Sequence, residues 1–255
     1  MIKKLNILVL IFYLQNLGIA QNSMVDSLQN LLNNRSVKDT ARVSLLNDVA
    51  YKFSFIDIDK TLKYANEAGK LSDQLNFPIG KAESLRLTGI YYESKSEFST
   101  ALEYFQRSFE IFEVCKQKIS AAKCLNNMGN SYYFQGNYTQ AFEFYQKSFE
   151  ISEEQNNRKG ISRGLNNLAM IFVCQGNYTQ AIEYYQKALI VLDEIGDKNG
   201  YSSCLNNISN IFKEQGDYFH ALDYYQKSLK ISEELSDKKG ISRTLNNIAN
   251  IYGPE

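Results

Sequence analysis

Asparagine recurs at a fixed spacing in the second half of the chain, and its side chain has a clear capacity to bind another molecule. Four leucines spaced forty residues apart are each followed by two asparagines, in the segments LNNMGNSYY, LNNLAMIFV, LNNISNIFK and LNNIANIYG. An asparagine amide offers two N–H donors and one carbonyl acceptor. A column of such amides is suited to hold the backbone of an extended peptide without selecting particular side chains.

Three columns of residues keep this forty-residue spacing. The second asparagine of each pair forms one column, the residue three positions later a second, and the residue four positions earlier a third. The first column is Asn127, Asn167, Asn207 and Asn247, the second is Asn130, Met170, Asn210 and Asn250, and the third is Lys123, Arg163, Ser203 and Arg243. The third column is basic in three of its four members, which favours carboxylates on a ligand.

The same asparagines also have a structural interpretation, in which they bond to neighbouring helices and register a stack of repeats. Repeats of this length need such registration because each contacts mainly its neighbours. A third alternative divides the two roles between positions of the Asn126 type and positions of the Asn127 type. All of these interpretations stay open at the level of sequence.

Residues that could carry out catalysis or hold a metal are sparse. The single histidine, His220, stands where Gln140 and Gln180 occur in the other copies, and no nucleophile or base constellation accompanies it. One histidine without a cysteine cluster does not supply the ligands of a transition-metal site. GxxxxGK[ST], GxGxxG and HExxH are all missing from the sequence. We therefore expect a protein that is not an enzyme and has no catalytic residues, metal site or cofactor.

The elements that position these columns are predicted to be pairs of helices. QGNYTQA occurs at 135–141 and 175–181, and QGDYFHA follows at 215–221. Gly176 suits the positive φ found just past a helix end, and Asn177 with Gln180 matches a capping box. On either side of this turn the apolar residues follow the 3–4 spacing of a helix. The repeated heptapeptide is therefore a helix stop, a turn and a helix start.

This pattern resembles the tetratricopeptide repeat (TPR) family over about residues 37–252. In one unit the family's positions are matched by Leu165, Ala169, Phe172, Gly176, Tyr178, Ala181 and Ala188. The forty-residue unit with its LNN motif is similar to the repeats of kinesin light chain and of some bacterial signalling proteins. The resemblance implies an all-α fold, a right-handed superhelical α-solenoid of antiparallel helix pairs.

The resemblance also implies where a ligand would bind. In this family, residues on the first helices line a concave groove that holds peptides or partner helices. Carried over by position, the expected ligand-binding residues are Lys123, Asn127, Asn130, Arg163, Asn167, Asn207, Asn210, Arg243, Asn247 and Asn250. The expected partner is a protein or peptide in this groove.

The first twenty residues differ from the rest. Lys3 and Lys4 precede the apolar run LNILVLIFYL and then QNLGIA, the pattern of a signal peptide cleaved after Ala20. We expect an exported, periplasmic or extracytoplasmic bacterial protein with no membrane span after cleavage; an N-terminal anchor or a buried helix is the alternative. Cleavage leaves 26 basic and 28 acidic residues, a net charge of −2, which does not attract nucleic acid.

The expected organisation is a signal peptide at 1–20, an N-terminal helix or cap at 21–35, a TPR array at 36–252 and a short end at 253–255. The array holds about five full repeats and the first helix of a sixth. Because one face of this last helix is uncovered, we expect the chain either to be a fragment of a longer protein or to self-associate through that face. The leading functional hypothesis is a non-catalytic binding array in the sensor region of a bacterial signalling protein. The alternatives are a stand-alone scaffold or assembly factor of the envelope, and the N-terminal part of a larger kinase or cyclase.

Overall fold

The computed structural model describes Asn30, Leu32 and residues 37–253. The predicted signal peptide and most of the predicted N-terminal cap lie outside these residues. In the described part the regular elements are all α-helices. They are α1 Thr40–Phe53, α2 Ile58–Gln74, α3 Pro78–Ser94, α4 Phe98–Val114, α5 Lys118–Phe134, α6 Tyr138–Glu154, α7 Arg158–Cys174, α8 Tyr178–Glu194, α9 Lys198–Glu214, α10 Tyr218–Glu234 and α11 Lys238–Tyr252. The predicted all-α class is confirmed.

The helices form two compact units, residues 1–116 and 117–255. Unit 1 contains α1 to α4 and unit 2 contains α5 to α11. Within each unit every helix packs on the next in sequence, and first helices of successive pairs also touch: α1 with α3, α5 with α7, and α9 with α11. Because turns of only three or four residues join the two helices of a pair, the partners run antiparallel, as predicted. No helix in the part of the chain that the structure describes is long and apolar enough to cross a bilayer.

The turn between the helices of a pair follows from its sequence. After α7, Gly176 has a φ of +72°, and the amide of Asn177 donates to the Phe172 carbonyl at 2.9 Å. This is the bonding of a helix ended by a left-handed residue. Asn177 Oδ1 then accepts from the Gln180 backbone amide at 3.3 Å, as the capping box predicts. The reciprocal bond joins the two side chains, with Asn177 Nδ2 donating to Gln180 Oε1 at 2.6 Å.

The core of unit 1 lies between α1, α2 and α3. Val43 and Leu46 of α1 are fully buried, as are Ala65 of α2 and Leu87 of α3. Asn47 Nδ2 donates to the Gly80 carbonyl at 3.0 Å and so ties α1 to α3. The pairing of α1 with α2 follows the same plan as the later repeats.

Large buried aromatic rings fill the core of unit 2, and small residues make room for them. Tyr145, Tyr185 and Tyr225 are almost fully buried on second helices. A Cβ added at Gly129 would lie 2.6 Å from the Tyr145 ring. The ring therefore packs directly on the α5 backbone, and this close approach sets how the two helices of a pair meet.

Candidate functional site

The residues expected to bind a ligand lie on the four first helices of unit 2, namely α5, α7, α9 and α11. Along one face of α5 they are Lys123, Asn127 and Asn130, which helical spacing places one above another. The face of α7 repeats this order with Arg163, Asn167 and Met170. Lys123, Arg163 and Arg243 are exposed, whereas the 127-type asparagines are half-buried or, for Asn167, only 9% exposed.

The asparagine pairs connect successive first helices. Three of the four 127-type amides donate through Nδ2 to the carbonyl oxygen of the 126-type asparagine one unit earlier. The bonds are Asn167 to Asn126 at 2.8 Å, Asn207 to Asn166 at 3.3 Å and Asn247 to Asn206 at 3.1 Å. The two types of position are thus joined in one interaction, and this interaction registers the repeats against each other.

Asn127 lacks the bond that the other members of its column make. Its Nδ2 is buried and has no hydrogen-bond partner among the described residues. A buried amide N–H without a partner costs about 1–3 kcal/mol. Asn127 is therefore the member of the column that contributes least to holding unit 2 together.

The second asparagine column is oriented by tyrosines of the second helices. The Tyr145 hydroxyl donates to Asn130 Oδ1 at 2.9 Å, and the Tyr225 hydroxyl bonds Asn210 Oδ1 in the same way. Asn247 Nδ2 also reaches Asn210 Oδ1, at 3.3 Å. Burial raises the pKa of Tyr225 to about 12, so its hydroxyl stays protonated and able to donate at neutral pH.

Unit 1 has apolar residues in place of this tyrosine–asparagine pair. The corresponding positions are Ile90 and Phe105, which need no hydrogen bond. Met170 replaces the asparagine opposite Tyr185, and the amide of Asn207, on the following first helix, lies close to this hydroxyl and favours its deprotonated form. Burial, followed by the nearby Cys204 thiol, raises the pKa of Tyr185 above its usual range.

These internal bonds leave one end of each amide unused. The Oδ1 atoms of Asn130 and Asn210 accept from tyrosines, so their Nδ2 donors remain. The Nδ2 atoms of Asn167 and Asn207 are used, so their Oδ1 acceptors remain. Within the described residues these remaining ends bond no other side chain. The column that contains Asn130 and Asn210 therefore offers hydrogen-bond donors, and the column that contains Asn167 and Asn207 offers acceptors.

The ends of the site differ in charge and polarity. At one end, no carboxylate of the described residues pairs with Lys123 or Arg163, whereas Arg243 Nη2 donates to Ser203 Oγ at 3.3 Å. At the other end, one turn beyond Asn130 and Met170, the same faces carry Phe134 and Cys174. Both are exposed, with Phe134 exposed by 61%.

This apolar end is a feature that the sequence reasoning missed. Phe134 and Cys174 follow Asn130 and Met170 by four residues, about one helical turn, and this spacing alone would have predicted that they share the face. The Cys174 thiol lies 3.7 Å from the Tyr133 hydroxyl, and burial together with this thiol raises the pKa of Tyr133 to about 12. On α5 and α7 the face therefore runs from basic through amide to apolar, whereas α9 carries the exposed Glu214 at the last of these positions.

Among the described residues no group of three or more histidine, cysteine or acidic side chains could hold a metal ion. His220 is exposed, and the residue that caps α10 is Asp217: the His220 backbone amide donates to Asp217 Oδ1 at 3.1 Å, and His220 Nδ1 lies 2.6 Å from Asp217 Oδ2.

Comparison with known proteins agrees with this architecture. The family model described as tetratricopeptide repeat matches residues 80–154, 120–189 and 160–234, which together span more than half of the chain. No curated protein matches the chain.

Several solved structures share the fold. Aspartyl phosphate phosphatase F from Bacillus subtilis has a TM-score of 0.68 at 19% identity, covering 79% of this chain and 54% of its own. The Rap conjugation gene regulator of plasmid pLS20, in complex with the Phr* peptide, has a TM-score of 0.68 at 14% identity, covering 80% and 56%. A putative kinesin light chain from Podosopora anserina with nearly identical TPR-like repeats has a TM-score of 0.57 at 12% identity, covering 78% and 99%. The chain thus spans just over half the length of the first two, and the likeness shows the fold.

Proposed function

Because the chain belongs to the tetratricopeptide repeat family, we propose that it is a non-catalytic scaffold that binds a peptide or protein segment on the first helices of unit 2. The observation that carries this proposal is the set of unused amide ends. Donors at Asn130 and Asn210 and acceptors at Asn167 and Asn207 match the carbonyl and amide groups of an extended backbone. The Rap regulator, which shares the fold, was solved with a peptide bound.

The charge and polarity along the face indicate what the segment contains. Exposed Lys123 and Arg163 favour a ligand with acidic side chains or a terminal carboxylate at that end. Exposed Phe134 at the other end favours an apolar side chain. The segment is therefore an extended peptide with at least one carboxylate towards one end and at least one apolar residue towards the other.

Selection from a linear peptide library displayed on phage tests this proposal. We expect enrichment of acidic sequences, and we expect Arg163→Ala to weaken the best peptide about tenfold to a hundredfold, since a charge-assisted hydrogen bond contributes about 1.5–3 kcal/mol. Fluorescence anisotropy gives the dissociation constants. The matched control is Lys187→Ala, which removes an exposed cation of the second helix α8 that lies over the Tyr184 ring. Equal affinity of the wild type and Arg163→Ala for every enriched peptide would exclude this face as the site.

We further propose that the protein acts outside the cytoplasmic membrane as the sensor region of a bacterial signalling protein. The basic, apolar and small-residue segments of the first twenty residues support export. Fusion of residues 1–40 to a reporter that is active only after export tests this part. We expect activity, and we expect mass spectrometry to find Gln21 at the mature N-terminus; an inactive fusion with Met1 retained would contradict export.

A further inference from the structure

Met170 interrupts the column of amides on the first helices of unit 2. Asn130 precedes it on α5 and Asn210 follows it on α9, each forty residues away. Both asparagines are oriented by a tyrosine hydroxyl of the paired second helix. Their Nδ2 donors can hold carbonyl groups of a ligand, whereas Met170 has no donor. A ligand that crosses these helices therefore meets a different chemistry at α7 from the one it meets at α5 and α9.

The packing of the helices does not require a methionine at this position. The ring opposite it belongs to Tyr185, which is as deeply buried as Tyr145 and Tyr225, the rings opposite asparagines. Because the same ring position packs with either side chain, an asparagine fits at position 170 as well. Met170 is itself only half-buried among the described residues. Part of its apolar side chain is therefore open to a ligand.

Internal contacts hold the Met170 side chain in place. Asn166 Nδ2 donates to Met170 Sδ at 3.6 Å, and Asn166 Oδ1 accepts from Asn207 Nδ2 at 3.3 Å. The side chain also packs against the core cluster that contains Tyr185 and Ile208. A methionine has a flexible side chain, so contacts that fix it reduce the entropy lost when a ligand packs on it.

The apolar surface of α7 extends one turn beyond Met170. Cys174 lies there and is exposed, whereas the equivalent residue of α9 is the exposed Glu214. The helix α7 thus offers a thioether and a thiol where α9 offers an amide and a carboxylate. A charged ligand side chain placed on the α7 surface would lose water without gaining a partner. This surface therefore fits one apolar side chain.

The spacing of the first helices matches that of an extended peptide. Hydrogen bonds between asparagine side chains join α5 to α7 and α7 to α9, and packed helices lie about 8–10 Å apart. In the polyproline II conformation every third residue of a peptide faces the same side and advances by about 9 Å. A peptide that crosses α5, α7 and α9 therefore presents residues three apart to Asn130, Met170 and Asn210.

We propose that Met170 is the specificity-determining residue of the peptide-binding face and selects an apolar side chain at the ligand residue that crosses α7. An aromatic side chain suits this position best, because a thioether makes favourable contacts with aromatic rings. The ligand residues three before and three after it supply the carbonyl groups held by Asn130 and Asn210. This inference rests on the proposed function, because it needs a peptide on the first helices of unit 2.

The probe is a library of random linear peptides displayed on phage and selected on the full-length chain. We expect the enriched peptides to share one aromatic or large apolar residue. Replacing that residue by alanine in the best peptide should weaken binding about tenfold in fluorescence anisotropy, because buried apolar surface is lost.

Met170→Asn tests whether this preference comes from Met170, and the chain itself carries asparagine at this position in Asn130, Asn210 and Asn250. The best peptide and its alanine version should bind Met170→Asn within about twofold of each other, since the interaction between the two side chains is gone. The matched control is Ile190→Asn, which makes the same kind of change at a residue of α8 that is 61% exposed. It should keep the tenfold preference of the wild type.

A register exchange provides a second test. In the double variant Met170→Asn with Asn210→Met the apolar position moves from α7 to α9. A new selection on this variant should place the apolar residue about three positions further from the acidic residue of the peptide, in line with the rise of the extended chain. An unchanged distance between the two residues would count against the inference.

The outcomes separate this inference from the proposed function. If no selected peptide binds the wild type, or if Arg163→Ala binds every one as well as the wild type does, the proposed function fails and the inference fails with it. If Arg163→Ala weakens binding but alanine replacement in the peptide costs the same on Met170→Asn as on the wild type, only the role of Met170 is overturned.

Discussion

The amide of Asn167 illustrates how one side chain contributes to both stability and binding. Its Nδ2 donates to Asn126 on the preceding first helix, and its Oδ1 is left for another partner. The internal bond fixes the rotamer, so the remaining acceptor is held in place before a ligand arrives. Preorganisation of this kind lowers the entropy lost on binding. The structural and binding interpretations of the asparagines therefore describe two ends of the same group.

Asn127 and Asn167 occupy the same position in successive units, so they form a matched pair for mutation. We expect Asn167→Ala to lower the free energy of unfolding by about 1–2 kcal/mol, because Asn126 Oδ1 loses its donor. Asn127→Ala should change it by less than about 0.5 kcal/mol, because it also removes a buried unsatisfied amide. Urea unfolding followed by circular dichroism measures both. Equal losses for the two variants would show that these bonds do not register the repeats.

The buried hydroxyl of Tyr225 makes the free energy of unfolding depend on pH in the alkaline range. Its pKa is raised by burial, and then by Glu214, to about 12, against about 10 in an unfolded chain. The unfolded state therefore loses this proton first, and the stabilisation present below pH 10 is lost as pH rises towards 12. Urea unfolding at pH 8 to 11.5 should show a shallower decline for Tyr225→Phe than for the wild type. Identical declines would contradict the role of this hydroxyl.

At the scale of elements, each turn between consecutive helices from α2 to α11 contains a left-handed residue. Gly176 has a φ of +72°, while Asn76 and Asn156 take a φ of 49° in other turns of this chain. A Cβ added at Gly176 would have no atom of a surrounding residue within 4 Å, so the backbone conformation is what opposes substitution. We expect Gly176→Val to cost about 2 kcal/mol and Gly176→Asn less than about 1 kcal/mol. Differential scanning calorimetry measures the melting temperatures of the two variants. A higher melting temperature for Gly176→Val than for Gly176→Asn would contradict this account of the turn.

Helix positions were predictable from the sequence, whereas the asparagine bonds were not. The stop at Gly176 and the cap at Asn177 are local signals, and each appears in the structure as expected. The bond from Asn167 to Asn126 depends on how α5 and α7 are rotated against each other, which no local spacing encodes. For the same reason the sequence left open whether these amides bind a ligand or register the stack.

At the scale of the whole molecule, charge is nearly balanced, so attraction of a ligand has to be local. The chain holds 28 basic and 28 acidic residues. We expect an acidic peptide selected on unit 2 to bind severalfold more weakly at 300 mM than at 50 mM NaCl, since exposed cations such as Lys123 and Arg163 are screened by salt. Duplex DNA should show no binding in the same anisotropy titration at 150 mM NaCl. Binding of DNA, or a peptide affinity that does not change with salt, would contradict this distribution of charge.

The central claim is that the first helices of unit 2 hold the backbone of an extended peptide. A crystal structure of the chain with a selected peptide tests it most directly. We predict peptide carbonyl oxygens at about 2.7–3.2 Å from Nδ2 of Asn130 and Asn210, and a carboxylate beside Arg163. A peptide bound only to the exposed side of the second helices, with those amides still free, would contradict the claim.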